Sequence, residues 1–191
     1  MNTPAHLLIG MAAFSKRDRP KVTLAAAVGA ILPDLSLYLM AGYALFIAQI
    51  SPNVVFGQMY FSEEWTRVFR IDNSFVLWGL LLALGLWRKW PILIALSGAA
   101  LLHIALDFPL HHNDGRPHFW PISNWVFESP FSYWDRAHGA SWIGPIEGLI
   151  ALGCTVLLWI RHTSWAFRAA IVVLLLLNLR TNFVWLFVFG T

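Results

Sequence analysis

The sequence predicts an all-α integral membrane bundle, with about five transmembrane helices, a short N-terminal helix and an aromatic-rich interfacial loop. Three observations carry that prediction. The 191 residues are 58% hydrophobic and only 12% charged, about half the charge of a typical soluble domain. Mean hydropathy is +0.62, and several apolar runs approach the ~20 residues that cross a bilayer. The short connections between those runs are strongly basic. With no linker and no internal repeat, residues 1–191 read as a single integral membrane domain.

The first apolar segment, Pro4–Phe14, is too short to span unaided. The second runs from Val22 to about Ile50, with a break expected near Pro33, where the ring removes a backbone donor. The third, Phe75–Trp87, is short but can extend backwards through Ile71. The fourth is Pro91 to about Phe108, the fifth Ile143–Ile160 and the last Trp165–Phe189. Met1 to Pro4 carries no basic stretch, so no cleavable signal peptide is expected. The lone Cys154 excludes an internal disulfide and a cysteine-based zinc site.

The short connections, with flanking Arg168, hold Lys16, Arg17, Arg19, Lys21, Arg88, Lys89 and Arg161 against a single acid, Asp18. The two long connections, Ser51–Asn73 and Leu110–Trp142, mix both signs. The positive-inside rule puts the short connections in the cytoplasm and the long ones outside, in a multi-pass membrane protein. The basic clusters are thus a topology signal, and no nucleic-acid partner is expected. Residues 111–141 form the extracytoplasmic loop. Its Phe119, Trp120, Trp125, Phe127, Phe131, Tyr133 and Trp134 read as an aromatic belt at the membrane surface. A lid over a site, or a grip on a lipid, is the sharper reading.

Several ionisable residues share one depth. At ~1.5 Å per residue, Asp34 lies ~20 Å from Lys21, His103 ~21 Å from Lys89, Glu147 ~21 Å from Arg161 and His6 ~15 Å from Lys16. Asp72, ~24 Å from Arg88, falls in the same layer, the outer half of a ~30 Å core. Charged groups at that depth usually face a protein interior or a wet cavity. The alternative is a set of interhelical bonds that only hold the bundle together.

His103 and Asp107 form H-x-x-x-D, which puts both side chains on one helical face. Imidazole with carboxylate suits a divalent metal, zinc above manganese or iron. Pro109 should end or kink this helix, bringing His111 and His112 onto the loop beside it. Asp34 either supplies a further carboxylate or caps a helix after Pro33. Glu147 is a metal ligand, a general base or the ion-pair partner of Arg180. A metal held by His and Asp supports hydrolysis of an ester, phosphoester or amide. No Ser-His-Asp pattern, phosphate loop or dinucleotide fingerprint competes with it.

These residues fall in a recognisable order: Ala5-His6-Leu7-Leu8, then Ile31-Leu32-Pro33-Asp34, then Leu102-His103-Ile104-Ala105-Leu106-Asp107, then Phe119-Trp120-Pro121. Over residues 1 to about 121 the chain resembles the YdjM-like family of inner-membrane proteins, described as metal-dependent hydrolases. The resemblance implies His6, Asp34, His103 and Asp107 as metal ligands. The family carries a His-Arg and a Thr-His-Ser element before the H-x-x-x-D helix. Here the corresponding stretch is Arg70-Ile71-Asp72-Asn73-Ser74, without histidine. Asp72 then stands in for one missing ligand, and His111, His112 or Asp114 for another.

Two functional readings follow. In the first, the chain is a membrane-embedded hydrolase with Asp34, His103, Asp107, His6 and His111 around the metal. Asp72 or Glu147 is the base, and the substrate is a lipid or lipid-linked phosphoester. In the second, it is a non-catalytic accessory subunit of a membrane complex, or a small binding protein with a degenerate metal site. A transporter would use broken helices and buried charges similarly, but it would be expected to show a repeat.

Overall fold

A computed structural model of the chain describes residues 1–188, with side chains through Thr181. It is all-helical: α1 Thr3–Phe14, α2 Pro20–Gly42, α3 Pro52–Gly57, α4 Glu63–Asp72, α5 Phe75–Trp87, α6 Pro91–Asp107, α7 Ala140–Arg161 and α8 Trp165–Val188. Four helical stretches are long and apolar enough to cross a membrane: Pro20–Ile47, Glu63–Trp87, Pro91–Leu110 and Ala140–Arg161. The fifth expected span coincides with α8, whose last side chains lie outside the described residues.

Helix α1 is the axis of the bundle. It is too short to span, yet it packs against α2, α6, α7 and α8. A helix enclosed on every side has no polar face to present, which is why its twelve residues are apolar apart from Thr3 and His6. Helices α2 and α6 run parallel, with Ala26 near Ala95 and Ala30 beside His103. Small residues allow that approach, as they do generally where lipid offers no hydrophobic drive. Gly29 is the extreme case, because a Cβ there would sit 2.0 Å from the Leu96 carbonyl oxygen.

The expected break at Pro33 does not occur. Helix α2 runs straight through it. Proline removes one intrahelical hydrogen bond, and the close contact with α6 holds the flanking turns in place. Asp34 is therefore a mid-helix side chain and not an N-cap. A second difference lies in the connection Ser51–Asn73, which contains α3 and α4. Ser62 caps α4, Glu63 and Glu64 fill its first turn, and Arg70 its last, which suits the helix dipole. Trp65 and Phe69 from α4 are buried with Ala41, Ala44 and Val55. The chain then pivots at Asn73, and Ser74 caps α5.

The two ends of the bundle differ in chemistry. At one, Arg161 donates to the Ala12 carbonyl at 2.5 Å and Ser15 bonds His162 at 3.1 Å, gathering the short basic connections. At the other, α6 tightens into a 3₁₀ turn at Phe108–Leu110 and the 111–141 loop folds back over the helix ends. The His118 carbonyl accepts from the Phe75 amide at 2.8 Å, and Ser129 donates to the Pro109 carbonyl at 2.5 Å. Phe108 stacks on Phe127 at 4.7 Å and meets His118 at 5.5 Å. The loop both covers this end and exposes Ile122 and Trp125 outward.

Candidate metal centre

Asp107, the last residue of α6, is the hub of the site. Its Oδ1 lies 2.9 Å from His6 Nε2 and also accepts from the Met1 ammonium. Its Oδ2 lies 3.3 Å from His103 Nε2 and 3.5 Å from His111 Nε2. His103 Nε2 is in turn 3.6 Å from Asp34 Oδ1. The rings of His6 and His103 stack at 3.6 Å, and both are buried. Five of the residues singled out from the sequence, His6, Asp34, His103, Asp107 and His111, thus share one neighbourhood drawn from α1, α2, α6 and the loop.

The tautomer of His103 is fixed by its surroundings. Nδ1 donates to the Ala30 carbonyl at 2.7 Å. That leaves Nε2, which is buried without a hydrogen-bond partner, aimed at two carboxylates. A neutral imidazole would there set one lone pair against oxygen lone pairs, so the position calls for a cation between them or a proton on the ring. His111 is arranged in the same way. Its Nδ1 pairs with Asp114 Oδ2 at 2.9 Å while Nε2 faces Asp107. An imidazole held through one nitrogen by a carbonyl or carboxylate is the usual support of a metal-binding histidine. Burial lowers the His111 pKa, but Asp107 and Asp114 outweigh it and hold the ring above the ordinary imidazole value.

Individual pairs are spaced as they would be around a small divalent ion, while the residues that meet as one mutual group among those described are His6, His103 and Asp107. Ligands ~2.0–2.2 Å from a tetrahedral centre stand ~3.3–3.6 Å apart. The separations of His103 from Asp107, His103 from Asp34 and His111 from Asp107 are 3.3, 3.6 and 3.5 Å. One ligand atom each from His6, His103 and Asp107 also lies within 4.8 Å of the other two. Imidazole and carboxylate donors without thiolate suit zinc, and manganese or iron after it.

Other candidates fall outside this group. Asp72 ends α4, where its Oδ1 accepts from the Asn73 amide at 3.0 Å; Asn73 also donates to the Pro33 carbonyl. Glu147 is fully buried on α7, but its Oε1 accepts from Asn2 at 2.8 Å and Asn178 at 2.6 Å. The expected ion pair with Arg180 gives way to these amides, and Arg180 is exposed. His112 diverges from its neighbour His111. It donates to the Ser129 carbonyl at 2.6 Å and stacks on His138 at 3.5 Å.

Two supports escaped the sequence reading. Thr3 donates to Asp34 Oδ2 at 2.6 Å and lies 2.5 Å from the Tyr38 hydroxyl. It stands three residues before His6, on the same helical face, which was the available signal. The Ala30 carbonyl had none, because a backbone acceptor is invisible in a side-chain pattern. No protein-family model, curated protein or solved structure matches the chain.

Proposed function

We propose that the chain is a membrane-embedded, metal-dependent hydrolase acting on an amphiphilic substrate, a lipid or lipid-linked phosphoester. The observation that carries this reading is the unpartnered Nε2 of His103, locked by Ala30 and directed at Asp34 and Asp107. Zinc is the metal that best suits the donors, and the likeness to the YdjM-like proteins points the same way. A divalent cation among these residues would supply Lewis acidity and a more acidic water. His6, His103 and Asp107 would hold it, with Asp34 and His111 completing the shell. Thr3 would orient Asp34, and Asp114 would orient His111. We assign Glu147 to anchoring Asn2, and therefore the N-terminal segment, beside the centre.

The amphiphilic substrate is supported by a groove of about 220 Å³ beside the centre. Met1, Leu106, Pro109, Leu110, Trp142 and Ile146 line it. Its walls are apolar apart from the buried Glu147, so an acyl chain could lie there. We further place the centre in the outer half of the inner membrane, with the short basic connections in the cytoplasm.

The test has two steps. Purified protein is assayed for metal before and after chelation, and then for hydrolysis of short-chain ester and phosphoester lipids. Metal near one per chain, lost in His103→Ala, together with turnover restored by metal, supports the reading. Metal-free protein that keeps its fold and does not respond to added zinc sinks it. In the second reading a protonated His103 is simply ion-paired by both carboxylates, which the same contacts allow. That version is an accessory or binding protein, and it predicts metal-free chains that co-purify with a membrane partner.

A further inference from the structure

Arg116 is a buried cation that no carboxylate pairs. It is 9% exposed, and it makes no ion pair with any carboxylate among the described residues. Its guanidinium lies over the Phe69 ring at 4.1 Å and over Tyr60 at 5.4 Å. Nη2 donates to the Tyr60 hydroxyl at 2.9 Å, while Nη1 is buried with no partner in the protein. Ring contacts satisfy the face of a guanidinium, not its N–H edge, and burying a charged donor without an acceptor is costly.

The surroundings are built rather than incidental. Arg116, Tyr60, Thr66, Asn113 and Asp114 line a cavity of about 80 Å³. One water needs ~10–15 Å³ measured in this way, so the space would take a small polyatomic group. Gly115, between the two charged residues, presses on the facing loop so closely that a Cβ would meet Val126 at 2.8 Å and the Phe127 carbonyl at 2.9 Å. The Asp114 side chain is 8% exposed, with Oδ2 engaged by His111 and Oδ1 unpartnered. Because Tyr60 accepts from Arg116, its own proton is free to point elsewhere. Burial keeps the Tyr60 phenol pKa above its ordinary value, so that proton is retained.

We infer that Arg116, Tyr60 and Asp114 form an oxyanion subsite for a phosphate group that keeps one hydroxyl. The guanidinium edge and the Tyr60 hydroxyl donate to phosphate oxygens, and Asp114 Oδ1 accepts from the remaining P–OH. Arginine suits this task because its planar fork matches two phosphate oxygens. The acceptor explains why a carboxylate belongs in an anion site: it favours a phosphate that keeps a hydroxyl over sulfate, which has none at neutral pH. This subsite does not depend on the metal reading. It does sit beside it, since Asp114 holds the histidine that faces Asp107.

The experiment uses the full chain in detergent, stripped with chelator. Inorganic phosphate and a short-chain phosphatidic acid are titrated separately by calorimetry, with sulfate as the control anion. Saturable phosphate binding is expected at millimolar concentrations or below, and sulfate should bind more weakly. Arg116→Gln should lose about tenfold or more in affinity, as expected for a charge-assisted fork. Tyr60→Phe should lose a few-fold, and His103→Ala should bind like the wild type. Tighter binding of phosphatidic acid than of inorganic phosphate identifies a lipid headgroup; equal binding identifies free phosphate. If Arg116→Gln does not fold, Tyr60→Phe and Arg116→Lys decide, both being expected to weaken binding. No phosphate binding by the wild type, or undiminished binding in folded Arg116 and Tyr60 variants, overturns the inference. The His103→Ala control separates failure of this subsite from failure of the metal centre.

Discussion

Asp107 and Glu147 are two buried carboxylates at the same end of the bundle, and they have been given opposite environments. Glu147 is met by amides, from Asn2 and Asn178. These donors are neutral, cannot lose a proton and leave no lone pair facing the acid. Asp107 is met by the Met1 ammonium and by imidazoles, from His6, His103 and His111. At least two of those rings are held through their other nitrogen, so the nitrogen turned to Asp107 can be an acceptor. Amides saturate a carboxylate; supported imidazoles prepare it to share a cation. Burial alone, which both residues share, does not distinguish them.

The largest effect that should separate the two is metal retention. Asp107→Asn and His103→Ala should each reduce bound metal from near one per chain to near zero by elemental analysis. Glu147→Gln should leave it unchanged. A Glu147→Gln protein that loses its metal while remaining folded would erase the contrast.

Stability should show a role for Glu147 that metal retention does not. Glu147→Ala strands two buried amides and should cost about 2–4 kcal/mol, read as a lower melting temperature of the detergent-solubilised chain. Glu147→Gln keeps the shape and part of the hydrogen bonding, and should cost about half as much. In chelated protein, Asp107→Asn should also lower the melting temperature, because it leaves the buried Met1 ammonium without its carboxylate.

The packing that creates the centre can be broken separately. Gly29→Val would drive a side chain into the Leu96 carbonyl, at about 1–3 kcal/mol or more for an overpacked contact. It should also weaken metal binding, because it moves Ala30 away from His103. Gly79→Ala, where nothing lies within 4 Å of the added carbon, is the matched control and should do neither.

A smaller effect is expected from pH. Burial pushes His118, in the aromatic lid, down to about 4. The unfolded chain therefore binds more protons between its ordinary value near 6.5 and that lowered one. By linkage, this contribution to stability is complete above about pH 6.5 and is lost as pH falls towards 4, by at most about 3 kcal/mol. Melting curves of chelated wild type and His118→Phe should converge on acidification. If they stay parallel, the lid histidine is not buried as described.

Much of the fold was legible because it rests on one-dimensional quantities. The apolar runs marked α2, α5, α6, α7 and α8, and Pro109 marked the end of α6. Within the site, His103 and Asp107 were readable from their spacing on one helix. His6 and Asp34 stood out by their depth in apolar segments, which does not say what they face. The Pro33 break was misjudged because a proline's local penalty can be overridden by packing on a neighbouring helix, here through Gly29. Of the three roles open to Glu147, the Arg180 pair is not formed, because depth does not say which face of α8 meets α7; Asn178 does, and Arg180 does not. Arg116 was invisible as a site, since an arginine in a loop carries no sign of being buried.

The most direct test of the central claim is X-ray absorption of the zinc-loaded protein. The account predicts a first shell of nitrogen and oxygen at ~2.0–2.1 Å, with outer-shell scattering from roughly two to three imidazoles that disappears in His103→Ala. A zinc that shows oxygen ligands alone, or a folded chain that takes up no zinc, would contradict it.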